Sequence, residues 1–253
     1  MAASSSLGHV SLPGFVDVHA HVVPAGDDGA TSIDQGLELC RLAFDAGTRV
    51  LFATPHAHAS WDSYPLTSER RRVYNAAFPV MRDAAARWGL DLRRGWEVFP
   101  TVLDADGDPA DYQLQGTNAV LVEFPGGWLD YPDPMPMMTE AGVLLEAAGL
   151  VPVFAHPERC TAVTKDRAIV RPLAERGWLL CVNTTSLLGD HGTTPEQTAW
   201  ELIEDGVVAL AASDAHGVRR PPTLDQAYRL VEQRYGREAA LPLFDGSSLP
   251  WVE

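Results

Sequence analysis

Lysine is almost absent. The 253-residue chain has one, Lys165, against eighteen arginines, so any chemistry that needs a catalytic or carbamylated lysine has a single candidate. Cysteine is scarce as well. Cys40, Cys160 and Cys181 make no even set and no Cys-x-x-Cys pair, which excludes a disulfide scaffold and points to a reducing compartment. No run approaches ~18 consecutive apolar residues, so no transmembrane helix is expected. Residues 1–6 lack the basic and apolar regions of a signal peptide, and the expected location is cytoplasmic. Positive charge is in deficit: 19 basic against 34 acidic residues leave a net charge of −15. That argues against a nucleic-acid partner and against an anionic membrane surface. Low-complexity linkers and solenoid repeats are also missing, so one domain is the economical reading, with residues 1–12 and 245–253 as tails.

What remains is ordinary globular composition, with 46% hydrophobic residues, patterned as short apolar runs alternating with amphipathic segments. The runs are residues 14–18, 50–54, 92–98, 119–124, 151–155, 178–183 and 207–212. Helical patterns occupy 32–47, 67–88, 138–148, 166–176, 195–204 and 224–235, with Ser32 as an N-cap and Gly47, Gly89 and Gly149 as stops. Residues 104–116 form a polar insertion. Seven strands separated by helices indicate a parallel α/β fold. A doubly wound sheet gathers its ligands at one switch point, whereas a barrel gathers them from many strand ends. Here nearly every strand ends in a candidate ligand, which favours the barrel.

The first strand ends in Asp17-Val18-His19-Ala20-His21, followed by Asp27-Asp28-Gly29. Two His at i and i+2 on an extended segment point to one side and can hold one ion. The later strands end at His56, Glu97, Glu123, His156-Pro157-Glu158-Arg159, Asn183-Thr184-Thr185 and Ser213-Asp214-Ala215-His216. Each residue alone has a bland reading as a strand-end charge. Jointly, imidazoles and carboxylates at so many strand ends suit divalent manganese, iron or zinc, and the donors exceed what one ion needs. His9, His58 and His191 fall outside this pattern.

These motifs resemble the PHP (polymerase and histidinol phosphatase) family of metal-dependent phosphoesterases, and most closely its branch of bacterial capsule and exopolysaccharide protein-tyrosine phosphatases. The stretches that carry the resemblance run from Val16-Asp17-Val18-His19-Ala20-His21 through Gly95-Trp96-Glu97 and Val122-Glu123-Phe124 to Ser213-Asp214-Ala215-His216. The resemblance implies a distorted seven-stranded (β/α)7 barrel and three divalent ions. It assigns His19, His21, Glu97 and Asp214 to the first ion. Glu97, Glu123 and His156 would hold the second, and Asp28, His56 and His216 the third. It also implies phosphate-binding arginines, Arg159 and Arg220, with Arg219 as the alternative to Arg220 in a loop shorter than in the capsule enzymes.

The implied reaction is hydrolysis of a phosphate monoester by a metal-bridging hydroxide. The substrate is a phosphotyrosine protein or, alternatively, a small sugar, nucleoside or amino-alcohol phosphate. Trp61 and Trp128 lie in loops at the expected mouth, where they could stack on the leaving group or pack the loops. An amidohydrolase would want a bridging lysine, and Lys165 is in the wrong place for one. A metal-binding regulator without turnover would not need the two arginines.

Overall fold

The computed structural model describes residues 14–59, 63–105, 108–126 and 131–252. Its strands are β1 (Phe15–Ala20), β2 (Thr48–Ala53), β3 (His56–Ala57), β4 (Asp91–Arg94), β5 (Glu97–Val98), β6 (Ala119–Glu123), β7 (Val151–Ala155), β8 (Leu179–Asn183) and β9 (Leu210–Ala212). They form two sheets, ordered β1-β2-β4 and β3-β5-β6-β7-β8-β9, and every pairing is parallel. Parallel pairing requires crossovers, and the helices supply them. The helices are α1 (Ile33–Asp45), α2 (Ser68–Ala86), α3 (Thr101–Ala105), α4 (Met135–Ala147), α5 (Thr161–Lys165), α6 (Arg171–Glu175), α7 (Thr184–Leu187), α8 (Thr193–Glu204), α9 (Asp225–Tyr235) and α10 (Arg237–Phe244).

Nine strands stand among the described residues where seven were expected. Two of the expected strands are each broken in two. Pro55, which has no N–H to give a ladder, separates β2 from β3. Gly95 and Trp96 separate β4 from β5, where a Cβ on Gly95 would lie 2.7 Å from Leu114 and 2.9 Å from Thr54. Backbone hydrogen bonds bridge the breaks, from Gly95 N to Ala53 O (3.0 Å) and from Glu97 N to Pro55 O (3.1 Å). The two sheets also meet at the other side: Asp214 N donates to His19 O and His21 N donates to Ala215 O, both at 2.8 Å.

Apart from β4, with Asp91 exposed and Arg93 and Arg94 half-buried, and the start of β2, the strands are buried on both faces, which is why they read as continuous apolar runs. One face packs against the helices. The other forms a smaller cluster drawn from both sheets, including Val16, Val18, Phe52, Leu121, Val153, Cys181 and Leu210. Leu249 joins that cluster, so residues 245–252 are not the tail expected of them. Asn118 N donates to Pro250 O (2.9 Å), Val252 N donates to Gly116 O (3.0 Å), and Trp251 packs near Phe52. The polar Asp245-Gly246-Ser247-Ser248 stretch disguised these anchors. Residues 1–12, the other expected tail, lie outside the described residues.

Helix starts follow their caps. Ser32 Oγ accepts from Gln35 N, and Thr67 Oγ1 accepts from Arg70 N, both at 3.2 Å. The helix expected over 166–176 is instead a 3-10 turn, Arg167–Val170, followed by α6, whose first turn carries Pro172. Proline is tolerated there because its missing N–H would have had no partner.

Candidate metal centre

Strand alternation explains how the polar residues converge. Leu121, Ala155, Cys181 and Ala212 face the inner cluster. Two residues on, at the C-terminal strand ends, the same parity brings Glu123, Asn183 and Asp214 to that side. In β2 the parity of Val50 and Phe52 continues through Thr54 to His56. In β1, Val16 and Val18 face the cluster, and a register irregularity between Asp17 and Ala20 switches parity so that His19 and His21 arrive there instead. His156 and Asp214 need more than parity. Both hold left-handed backbone, at φ 41° and φ 50°, which is uncommon outside glycine and turns each side chain off the end of its strand.

The resulting cluster is tight. His19 Nε2 lies 3.2 Å from His21 Nε2, 3.1 Å from Glu97 Oε2 and 3.3 Å from Asp214 Oδ1. His21 Nε2 lies 3.2 Å from Glu97 Oε2 and 3.6 Å from Asp214 Oδ1. Ligands around one ion with bonds of ~2.1 Å sit ~3.0–3.4 Å apart, so these four atoms have the spacing of a coordination shell. Glu97 Oε2 has three imidazole nitrogens within 3.0–3.2 Å, yet it is buried without a hydrogen bond, so its partners are arranged as co-ligands rather than donors. The donor set therefore fits divalent ions. Its other oxygen, Oε1, faces His156 Nε2 at 2.9 Å. Asp28 Oδ1 is 3.2 Å from His216 Nε2 and 3.6 Å from His56 Nε2. Glu123 Oε2 is 2.9 Å from His58 Nε2 and 3.6 Å from His56 Nδ1.

The imidazoles divide electrostatically. Burial keeps the His19 and His216 pKa values low, favouring the neutral imidazole that ligates a metal, whereas at His21 and His56 the nearby carboxylates outweigh burial and hold His21 up at about 9 and His56 well above its ordinary value. Burial would raise Glu97 and Asp214, but His19 and the charges around them outweigh it and hold both well below the usual carboxylate range. Glu123 opposes burial and Glu97 through bonds to His56 and His58, and is held at about 2. Asp17 has less help: burial pushes it up to about 6, while its Oδ1 accepts from Ser213 N at 3.0 Å.

Around the cluster lies a cavity of about 370 Å³, lined among others by Asp28, Tyr64, Glu123, Arg159 and Arg220. Both arginines rest on Asp214. Arg159 Nη1 reaches Oδ2 at 2.8 Å, beside Asn183 Nδ2, also at 2.8 Å. Arg220 Nη2 reaches Oδ1 at 2.8 Å, and its Nε donates to the Asp214 carbonyl at 2.7 Å. Arg219 is exposed, so of the two candidates in this loop Arg220 is the one at the cavity. Trp61 and Trp128 lie outside the described residues. Lys165 is exposed at the end of α5.

All nine expected ligands come together, and the structure adds residues that the motif reading passed over. Asp27, rather than its neighbour Asp28, accepts from His21 Nδ1 (2.9 Å) and from His56 N (3.0 Å), fixing the orientation of both. Gly29 allows this loop to lie against His21, since a Cβ there would sit 2.4 Å from the His21 carbonyl oxygen. Arg70, nearly buried in α2, donates to Ala25 O (2.7 Å), Tyr64 O (2.6 Å) and His56 O (2.8 Å), tying three site loops together. Tyr64 stacks parallel to His56 at 5.0 Å. His58 joins at Glu123, and its only signal was the repeat of the His-x-His spacing. His191 shares a 2.9 Å hydrogen bond with Thr185 Oγ1, and burial together with Arg159 and Arg220 pushes it down to about 4.

Known proteins resemble the chain over most of their length. The chain is 28% identical to the tyrosine-protein phosphatase YwqE of Bacillus subtilis, over 93% of this chain and 91% of that one. It is 26% identical to the tyrosine-protein phosphatase CpsB of Streptococcus agalactiae, over 91% and 95%. A solved structure from work on YwqE and Streptococcus pneumoniae CpsB, described as unique metal-dependent tyrosine phosphatases, superposes with a TM-score of 0.71 at 26% identity, covering 90% of each chain. A lactonase from Listeria monocytogenes superposes at 0.55 with 10% identity, a likeness of fold alone. The family described as capsular polysaccharide synthesis, CpsB/CapC, matches residues 15–248, and the chain belongs to it.

Proposed function

We propose that the chain is a metal-dependent protein-tyrosine phosphatase acting in the cavity above Glu97. The observation that carries this reading is a ligand-spaced cluster of imidazoles and carboxylates beneath two guanidinium groups, in a chain whose relatives are named tyrosine phosphatases. In this reading the ladder is a distorted seven-stranded (β/α)7 barrel, with β2–β3 and β4–β5 each one broken strand. The bonds between β9 and β1 support it.

Three divalent ions are assigned. His19, His21, Glu97 and Asp214 hold the first, Glu97, Glu123 and His156 the second, and Asp28, His56 and His216 the third. When bound, such ions acidify water and neutralise phosphoryl oxygens. The protein groups do the rest. Asn183 and Arg159 grip Asp214 Oδ2, leaving Oδ1 toward the imidazoles. Arg159 and Arg220, both partly exposed to the cavity, bind the phosphoryl oxygens, since a guanidinium matches phosphate in two-point contact. Tyr64, stacked on His56, offers an aromatic wall to a phenyl leaving group. The net charge of −15 does not repel the substrate locally, because three divalent ions bring ~+6 against the four carboxylates Asp28, Glu97, Glu123 and Asp214.

The test is turnover by protein stripped with a chelator and then restored with manganese, iron or zinc. Substrates are a phosphotyrosine peptide, p-nitrophenyl phosphate and a sugar phosphate. The expected result is metal-dependent hydrolysis of both aryl esters, ahead of the sugar ester. Faster sugar-phosphate turnover would move the substrate to small metabolites. No turnover of any ester with metal restored would refute the reading.

A further inference from the structure

Glu123 differs from the other carboxylates of the cluster in how it is held. Asp214 is gripped by Asn183 and two arginines, and Glu97 is buried among imidazoles. Glu123 stands at the cavity edge, on the last residue of β6, with three side-chain torsions to restrain. Its nearest polar contact is His58 Nε2 at 2.9 Å, and His56 Nδ1 follows at 3.6 Å.

His58 is itself immobilised. It is 3% exposed. Its backbone N–H donates to Tyr64 O (3.1 Å) and its carbonyl accepts from Leu66 N (3.0 Å), so the chain on either side of the loop is clamped at this residue. Its ring lies edge-on to His56 at 5.0 Å, against Phe99 at 5.4 Å and against Tyr64 at 5.7 Å. Packing on these rings dictates where Nε2 points, and it points at Glu123.

We propose that His58 is a positioning residue for Glu123: its Nε2–H donates to one carboxylate oxygen and thereby holds the other in place for a metal ion. A carboxylate whose spare oxygen is hydrogen-bonded to a fixed donor loses less freedom when it ligates, the usual effect of a partner behind a metal ligand. The motif match does not include His58, because it lies two residues past the last matched histidine of its strand. The proposal rests on the metal-dependent reading of the site.

The experiment measures metal binding rather than turnover. Parent protein, His58→Phe and His58→Gln are stripped of metal and checked for folding by thermal melting. They are then titrated with Mn²⁺, read by calorimetry and by the metal-induced rise in Tm. Phenylalanine keeps the ring volume without a donor, while the glutamine amide can still donate to Glu123. His58→Ala replaces the phenylalanine variant if that does not fold. The expected result is a ~10–100-fold loss of affinity at one class of site in His58→Phe, with His58→Gln within about threefold of the parent. Unchanged binding in His58→Phe would overturn the proposal. An equal loss in both variants would also overturn it, because His58 would then be a ligand in its own right. A parent that takes up no metal would instead overturn the functional reading itself.

Discussion

Removing the Arg159 guanidinium separates its contribution to folding from its contribution to chemistry. Its contact in the folded protein is one bond, Nη1 to Asp214 Oδ2, from a side chain that is 29% exposed. Asn183 Nδ2 donates to the same oxygen at 2.8 Å, so Arg159→Ala does not orphan the carboxylate. The stability cost is then that of a partly exposed charge-assisted bond, ~1 kcal/mol. For a chain of this size that lowers Tm by about 2–4 °C. A guanidinium that meets charge developing on the phosphoryl group is worth ~2–4 kcal/mol, or ~30- to 1,000-fold in kcat/KM. Thermal melting, metal content and p-nitrophenyl phosphate kinetics on one preparation give all three quantities. The expected pattern is near-parental melting and metal content with kcat/KM down at least thirtyfold, while the exposed Arg219→Ala is nearly silent. Full activity in Arg159→Ala would refute the phosphate-binding role. An activity loss that tracks lost metal would show that the arginine acts only by supporting Asp214.

Glu97→Gln should release more metal than Asp28→Asn, because Glu97 faces three imidazoles through one oxygen and His156 through the other; equal metal-to-protein ratios would contradict its bridging role. Gly29→Ala should lower Tm by several degrees and weaken metal binding, since its Cβ would stand 2.4 Å from a backbone oxygen that cannot yield without moving His21; an unperturbed melt would show the loop is free to shift. His191 should make the fold acid-sensitive. Its pKa is lowered to about 4 by burial and by Arg159 and Arg220, so between about pH 4 and 6.5 the unfolded chain binds the extra proton. Its contribution is complete above pH 6.5 and lost as the pH falls to about 4. At this part-exposed ring it amounts to ~1–2 kcal/mol after solvent screening. Denaturant melts of parent and His191→Gln should differ in slope across that window, and parallel pH profiles would dismiss the effect.

The candidate strand-end ligands were legible because side chains alternate with a period of two, and a polar residue closing an apolar run announces itself. His19, His56, Glu123 and Asp214 carry that mark, while Glu97 closes the more polar run Leu92-Arg93-Arg94-Gly95-Trp96. The break of β2 at Pro55 was equally present in the chain but was passed over, because the apolar run continues the eye past a residue that stops a ladder. Asp27 and Asp28 show a different limit: adjacent carboxylates take opposite roles, one behind His21 and one beside His216, and only the turn at Gly29 separates them. Arg70 and His58 act through tertiary contacts with segments remote in sequence, which no local pattern encodes. Leu249, which is buried, and Trp251, which lies half-exposed near Phe52, anchor a stretch whose polar composition reads as tail, since one buried side chain in a short segment makes no periodic signal.

The meeting of β1 and β9 also sets the order in which the molecule can be completed. Ser213 N bonds to Asp17, 196 residues earlier, and Asp214 N bonds to His19 O, so the first strand waits for the last. Contacts of such sequence separation form late, after the long intervening chain has closed. A ribosome that has made the first ~200 residues has released His19, His21 and Glu97 but neither Asp214 nor His216. At that point His19 and His21 have Glu97 in the emerged chain, while Asp214 and His216 have yet to be made. In the proposed reading, the full set of candidate ligands is assembled only once the segment after β9 has closed on β1.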